Sequence, residues 1–161
     1  MDRTSAAYDE DFYAWTQTQA QEFRRAGAER DNAPIDWENV AEEIESMGRG
    51  QRSDVRNRLC VLLTHLLKWQ HCPELRERCA NGWRRTVREQ WKQVACEFDD
   101  SPSLRRQLGD LFVIAYADAR EYAADEADVA IAHFPSDPTF TLDDALDPAF
   151  PPDLFPPELR G

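Results

Sequence analysis

Glu42, Glu45 and His65 are the residues whose types first suggest chemistry. Carboxylates and a histidine inside a helical bundle are how such folds hold paired metals, but that motif also needs a Glu-x-x-His step on one helix, and the sequence has none. If the chain turns a hairpin at Gly48–Gly50, residues at equal height on its two arms have numbers that sum to about 98. His65 then lies level with Ala33, roughly 18 Å beyond Glu45, whereas ligands of one metal sit about 2 Å from it. The same hairpin sets Glu42 and Glu45 beside Arg56 and Arg52, as surface ion pairs. His71-Cys72 and Cys79 give a Cys-x6-Cys spacing without the paired Cys-x2-Cys knuckles of a zinc site. No metal and no cofactor is expected. Glycine-rich phosphate loops and Gly-x-Ser-x-Gly elbows are absent too. The polar residues nominated for a catalytic role are His65, Arg84 and Asp118, each at a helix boundary where a cleft could open.

A second constellation is basic and aromatic: Arg76, Arg78, Trp83, Arg84, Arg85, Arg88, Trp91 and Lys92. The chain carries a net charge of −12, yet residues 49–92 hold 11 basic and 4 acidic side chains between two acidic arms. Either the arms fold onto this basic middle and neutralise it, or they leave an anion-binding face open. On a helical wheel Trp83 and Trp91 share a stripe with Val87 and Val94, while Arg85 and Lys92 point the opposite way. The tryptophans are then expected in the core, where they cannot stack on bases. Arg85, Arg88 and Lys92 are nominated as the contact for an anion or a partner. A protein partner or self-association is the leading expectation for this face, with nucleic acid as the lesser alternative.

These residues need helices to position them. Tyr8, Phe12, Trp15, Phe23 and Ala26 recur at helical spacing and predict a first helix from about Asp9 to Ala26. Asn32 and Pro34 mark a turn. Asp36 is a suitable N-cap for a second helix, with Trp37, Val40, Ala41, Ile44 and Met47 facing inward and Gly48 as its C-terminal glycine. A third helix from about Arg49 to Gln70 shows the strongest apolar face, Val55, Leu59, Leu62, Leu63, Leu66 and Leu67. His65 falls at the edge of that face and is expected to bond to the Pro34 loop. A fourth helix covers about Cys79 to Phe98. A fifth opens at Ser101-Pro102 and turns Leu104, Leu108, Leu111, Phe112, Ala115, Ala119 and Tyr122 inward. Seven of the ten prolines then fall between Pro135 and Pro157. Phe134, Phe140, Phe150 and Phe155 are spaced to pin that stretch, and Thr141 with Asp144 can cap one short turn. The expected fold is all-α: about five helices in an up-and-down bundle over residues 1–132, with a proline-rich tail, residues 133–161, packed across it as part of one structural domain.

Seven blocks stand out along the sequence: Asp11-Phe-Tyr-Ala-Trp15, Glu42-Glu-Ile-Glu-Ser-Met-Gly48, Leu62-Leu-Thr-His-Leu-Leu-Lys-Trp-Gln70, Trp83-Arg-Arg-Thr-Val-Arg-Glu-Gln90, Ser101-Pro-Ser-Leu104, Tyr116-Ala-Asp-Ala-Arg120 and Phe140-Thr-Leu142. Together they resemble successive blocks of one bacterial family, domain of unknown function 29. The resemblance implies a compact helical bacterial protein and no reaction, cofactor or catalytic residue. No apolar run reaches the roughly 20 residues of a membrane helix, and the N-terminus has no signal-peptide core. The expected location is the cytoplasm, with the four cysteines as free thiols. The leading functional expectation is a non-enzymatic interaction or regulatory module. The alternatives are an enzyme of unrecognised type, or an anion or nucleic-acid binder acting through residues 49–92.

Overall fold

The computed structural model describes residues 3–29 and 33–160 of the protein. Six α-helices form, with no strand among the described residues: α1 (Arg3–Glu10), α2 (Phe12–Glu29), α3 (Trp37–His71), α4 (Arg76–Asp100), α5 (Leu108–Ala127) and α6 (Leu142–Leu146). The all-α bundle read from the sequence is what forms. Asn32, expected as a turn residue, lies outside the described residues. The chain clusters into two compact units. One holds α1, α2, α3 up to Asp54 and the segment Cys96–Gln107; the other holds α3 from Val55, α4 up to Ala95, and the chain from Leu108 onward.

The expected hairpin at Gly48 does not form. α3 runs unbroken for 35 residues. Asp36 caps its start as read, accepting the Asn39 N–H at 3.2 Å. Gly48 is not an end but a crossing point, because a Cβ there would collide with Thr16 Oγ1 of α2 and meet Gln17 Nε2 at 3.1 Å. A helix-interior glycine costs about 1 kcal/mol relative to alanine, too little to end a helix that gains so close an approach. Glu42 and Glu45 consequently do not meet Arg56 and Arg52. Arg24 of α2 binds Glu45 at 2.8 Å and Glu38 at 3.0 Å, with Glu42 at 3.6 Å. Arg49 turns back to Glu42, two turns earlier on its own helix, at 2.5 Å. Met47, expected inward, is 52% exposed, since Ala41 and Gly48 carry the packed face there.

The first predicted helix divides at Asp11, which ends α1 and caps α2. Its Oδ1 accepts the Ala14 N–H at 2.8 Å, and its carboxylate also takes the Ser103 N–H and hydroxyl at 2.7 and 2.9 Å. Ser101 was expected to cap the fifth helix. Instead its buried hydroxyl accepts the Tyr13 N–H at 2.9 Å and donates to Gln51 at 2.6 Å. A 3₁₀ turn, Pro102–Gln107, precedes α5.

In the second unit the leucine face behaves as read: Val55, Leu59, Leu62, Leu63, Leu66 and Leu67 are fully buried. Val87 and Val94 of α4 and Leu111, Ala115 and Ala119 of α5 are buried with them. In the proline-rich stretch Phe134, Phe140 and Phe155 are buried, and the Phe155 ring lies 4.9 Å from that of Trp91. Thr141 and Asp144 close the capping box that opens α6.

Candidate functional site

α4 carries the basic constellation. Its apolar stripe, Trp83, Val87 and Val94, is buried as the wheel requires, and Trp91 is half-buried with its indole N–H donated to the Ala145 carbonyl at 2.9 Å. The opposite side presents Asn81, Arg84, Arg85, Arg88, Glu89, Lys92 and Gln93 along an open groove of about 460 Å³. Two of its arginines are partly engaged by the proline-rich stretch. Arg84 Nε donates to the Leu154 carbonyl at 2.8 Å and Nη1 to Asn81 at 3.0 Å. Arg88 donates to the Leu159 carbonyl and lies over the Phe155 ring at 5.5 Å. Arg85 and Lys92 are exposed. Among the described residues, none of these four cations has a carboxylate within 4.0 Å.

Among the described residues, three cations of the basic middle meet carboxylates. Arg49 pairs with Glu42, Lys68 with Glu126, and Arg76 with Asp153 at 3.7 Å. Arg52 takes an uncharged partner, Gln107, at 2.6 Å.

A second concavity lies between α3 and α5, a cleft of about 360 Å³. It brings together two of the three residues nominated for catalysis, His65 and Asp118. Arg84, the third, stands in the α4 groove instead. His65 does not bond to the Pro34 loop. α3 does not turn back at Gly48, and His65 Nδ1 instead lies 2.8 Å from the Val61 carbonyl one turn earlier on the same helix. A carbonyl only accepts, so Nδ1 carries the hydrogen and Nε2 keeps its lone pair in the neutral ring. Burial pushes the His65 pKa below 6.5 and the Lys68 ammonium adds to this, against the opposing pull of the Val61 bond. Cys60 shares the cleft; burial, with the Asp118 charge, pushes its thiol up to about 11. It is an uncharged thiol at neutral pH, without the thiolate character of a nucleophile.

Several residues in and beside this cleft escaped the sequence reading. Lys68 is 5% exposed and pairs with Glu126, its ammonium 5.2 Å from the Trp83 ring. Tyr122 was expected inside but is 56% exposed and lines the cleft. The buried face of α5 rotates toward Ala123 and Ala124 in its last turns and leaves Tyr122 at the edge. The available signal was the i, i+4, i+8 column Asp118, Tyr122, Glu126, which shares one helical face. No group of three or more His, Cys, Asp or Glu among the described residues is placed to hold a metal ion.

A family model described as domain of unknown function DUF29 matches residues 7–151. That is most of the chain, and the chain belongs to this family. A crystal structure of an alpha-helical protein of unknown function from Rhodospirillum rubrum ATCC 11170 is similar to it, with 27% sequence identity and a TM-score of 0.66. The likeness covers 91% of this chain and 92% of that one. No curated protein matches. No helix of the described residues is long and apolar enough to cross a membrane.

Proposed function

We propose that this DUF29 member is a non-enzymatic interaction module whose basic α4 face takes an acidic segment of a protein partner. One observation carries the reading: Arg85 and Lys92 stand exposed in a groove with Arg84 and Arg88, and none of the four meets a carboxylate among the described residues. Exposed cations that a fold leaves unneutralised cost it little and remain available to a partner. Arg85, Arg88 and Lys92 succeed one another at about one helical turn, roughly 5.4 Å. Carboxylates at i and i+4 on an acidic helix repeat at a comparable interval, about 5–6 Å. Nucleic acid fits less well. The base-stacking ring it would use is not available, since Trp83 is buried away from any base.

The test uses a labelled helical peptide with glutamates at i and i+4, titrated with the full chain at low and moderate salt. Binding is expected to weaken as salt rises and to fall by about tenfold in R85E/K92E, the effect of reversing two rim charges. No binding to the peptide at low salt sinks the reading. Tighter binding to a duplex DNA probe than to the peptide replaces it with nucleic-acid recognition. A chain that dimerises in sedimentation, and stops doing so in R85E/K92E, makes the acidic segment that of a second copy.

A further inference from the structure

The α3–α5 cleft holds two opposite charges that do not meet. Arg56 of α3 and Asp118 of α5 both line it, and both act on the same thiol, Cys60. Yet no ion pair closes between them within 4.0 Å among the described residues. Arg56 has only a 3.5 Å bond to its neighbour Asn57. Asp118 has no cation within 4.0 Å among the described residues. Farther along the cleft the Glu126 charge is already answered by Lys68, so Arg56 and Asp118 are the two charges left open along one cleft.

We propose that this cleft binds a small zwitterion of the amino-acid class, its ammonium on Asp118, its carboxylate on Arg56 and its apolar side chain against Val61 and Tyr122. The polar walls suit an ammonium group. The Thr64 hydroxyl spends its hydrogen on the Cys60 carbonyl at 2.8 Å and presents lone pairs. His65 spends its Nδ1 hydrogen on Val61 and offers Nε2 as an acceptor. An ammonium brings three donors and no acceptor, the complement of these groups. A carboxylate suits the planar fork of Arg56. Val61 is 38% exposed and Tyr122 56%, apolar surface beside the charges that a ligand side chain would cover. The cleft volume of about 360 Å³ sits at the small end of ligand sites, about 300–1,000 Å³. The site is separate from the α4 groove, so either can fail without the other.

The experiment is calorimetric titration of the full chain with L-leucine and L-phenylalanine, beside N-acetyl-L-leucine, which lacks the ammonium, and L-leucinamide, which lacks the carboxylate. At least one free amino acid is expected to bind, and both blocked forms are expected to bind about tenfold or more weakly, the loss from leaving a charged partner unmatched. D118N and R56Q, with helicity checked by circular dichroism, are expected to lose the free amino acids, while R85E/K92E keeps them. No heat with either amino acid at millimolar concentration overturns the proposal. So does equal binding of a blocked form, or full binding by folded D118N.

Discussion

His65 shows how a residue's protonation is tied to the fold around it. Burial and the Lys68 ammonium hold its pKa below 6.5, so the folded chain takes a proton there less readily than the unfolded chain does. A depressed pKa contributes stability that is fully present above 6.5 and is lost as pH falls through the folded value, because the unfolded state gains the proton first. His71 carries the same sign, lowered by burial and by His133, so both contribute in this window. The difference between wild type and H65Q isolates His65. Chemical denaturation from pH 7.5 down to about pH 5 is expected to show wild-type stability falling and the H65Q curve falling less. Parallel curves would mean that His65 is not held neutral by the fold. The sequence made His65 and Asp118 visible as polar residues but set them at helix boundaries, whereas both lie inside their helices, α3 and α5. It could not show that they share a cleft, because that depends on the α3–α5 register, which also brings together Lys68 and Glu126, 58 positions apart.

At the scale of the element, the glycines of α3 and α4 separate two roles that sequence alone conflates. A glycine after an apolar face reads as a helix end, and Gly48 was read that way. Yet the helix runs through it, because the missing side chain admits Thr16 of α2. Gly50 and Gly82 have nothing within 4 Å of a built Cβ. Alanine at those two positions meets only open space and is expected to stabilise the fold by about 0.4–1 kcal/mol each, through the unfolded chain. Gly48→Ala meets the Thr16 hydroxyl and is expected to destabilise by about 1–3 kcal/mol, the usual cost of overpacking. Urea midpoints for the three variants check this, and a stabilised G48A would return Gly48 to the role of a tolerated flaw. The apolar period was legible wherever a helix faces one core, as in Val55 to Leu67. It failed at Gly48 and Tyr122, where a long-range contact or a rotating buried face set the outcome.

For the whole molecule, the uneven charge along the chain makes salt act with opposite signs on folding and on binding. A net charge of −12 over 161 residues sets the compact state against its own repulsion, which dissolved salt screens. The fold's exposed ion pairs oppose this trend only weakly. Arg25 with Glu22 and Glu29, and Arg49 with Glu42, are solvent-exposed, and such pairs contribute about 0–1 kcal/mol apiece. Raising sodium chloride from about 20 to about 300 mM shortens the screening length from roughly 20 Å to below 8 Å. The melting temperature is therefore expected to rise by a few degrees, about what 1 kcal/mol does to a domain of this size. Over the same range, affinity for the acidic peptide at the α4 groove is expected to fall, since there the screened interaction is attractive. Thermal melts and peptide titrations at matched salt concentrations measure both slopes on one sample. If both fall together, ion pairs rather than self-repulsion govern the fold, and loss of peptide binding at high salt could no longer be assigned to Arg85 and Lys92 without the charge-reversed variant beside it. If stability rises while affinity falls, the weakened binding cannot be a consequence of a loosened fold and belongs to the groove itself.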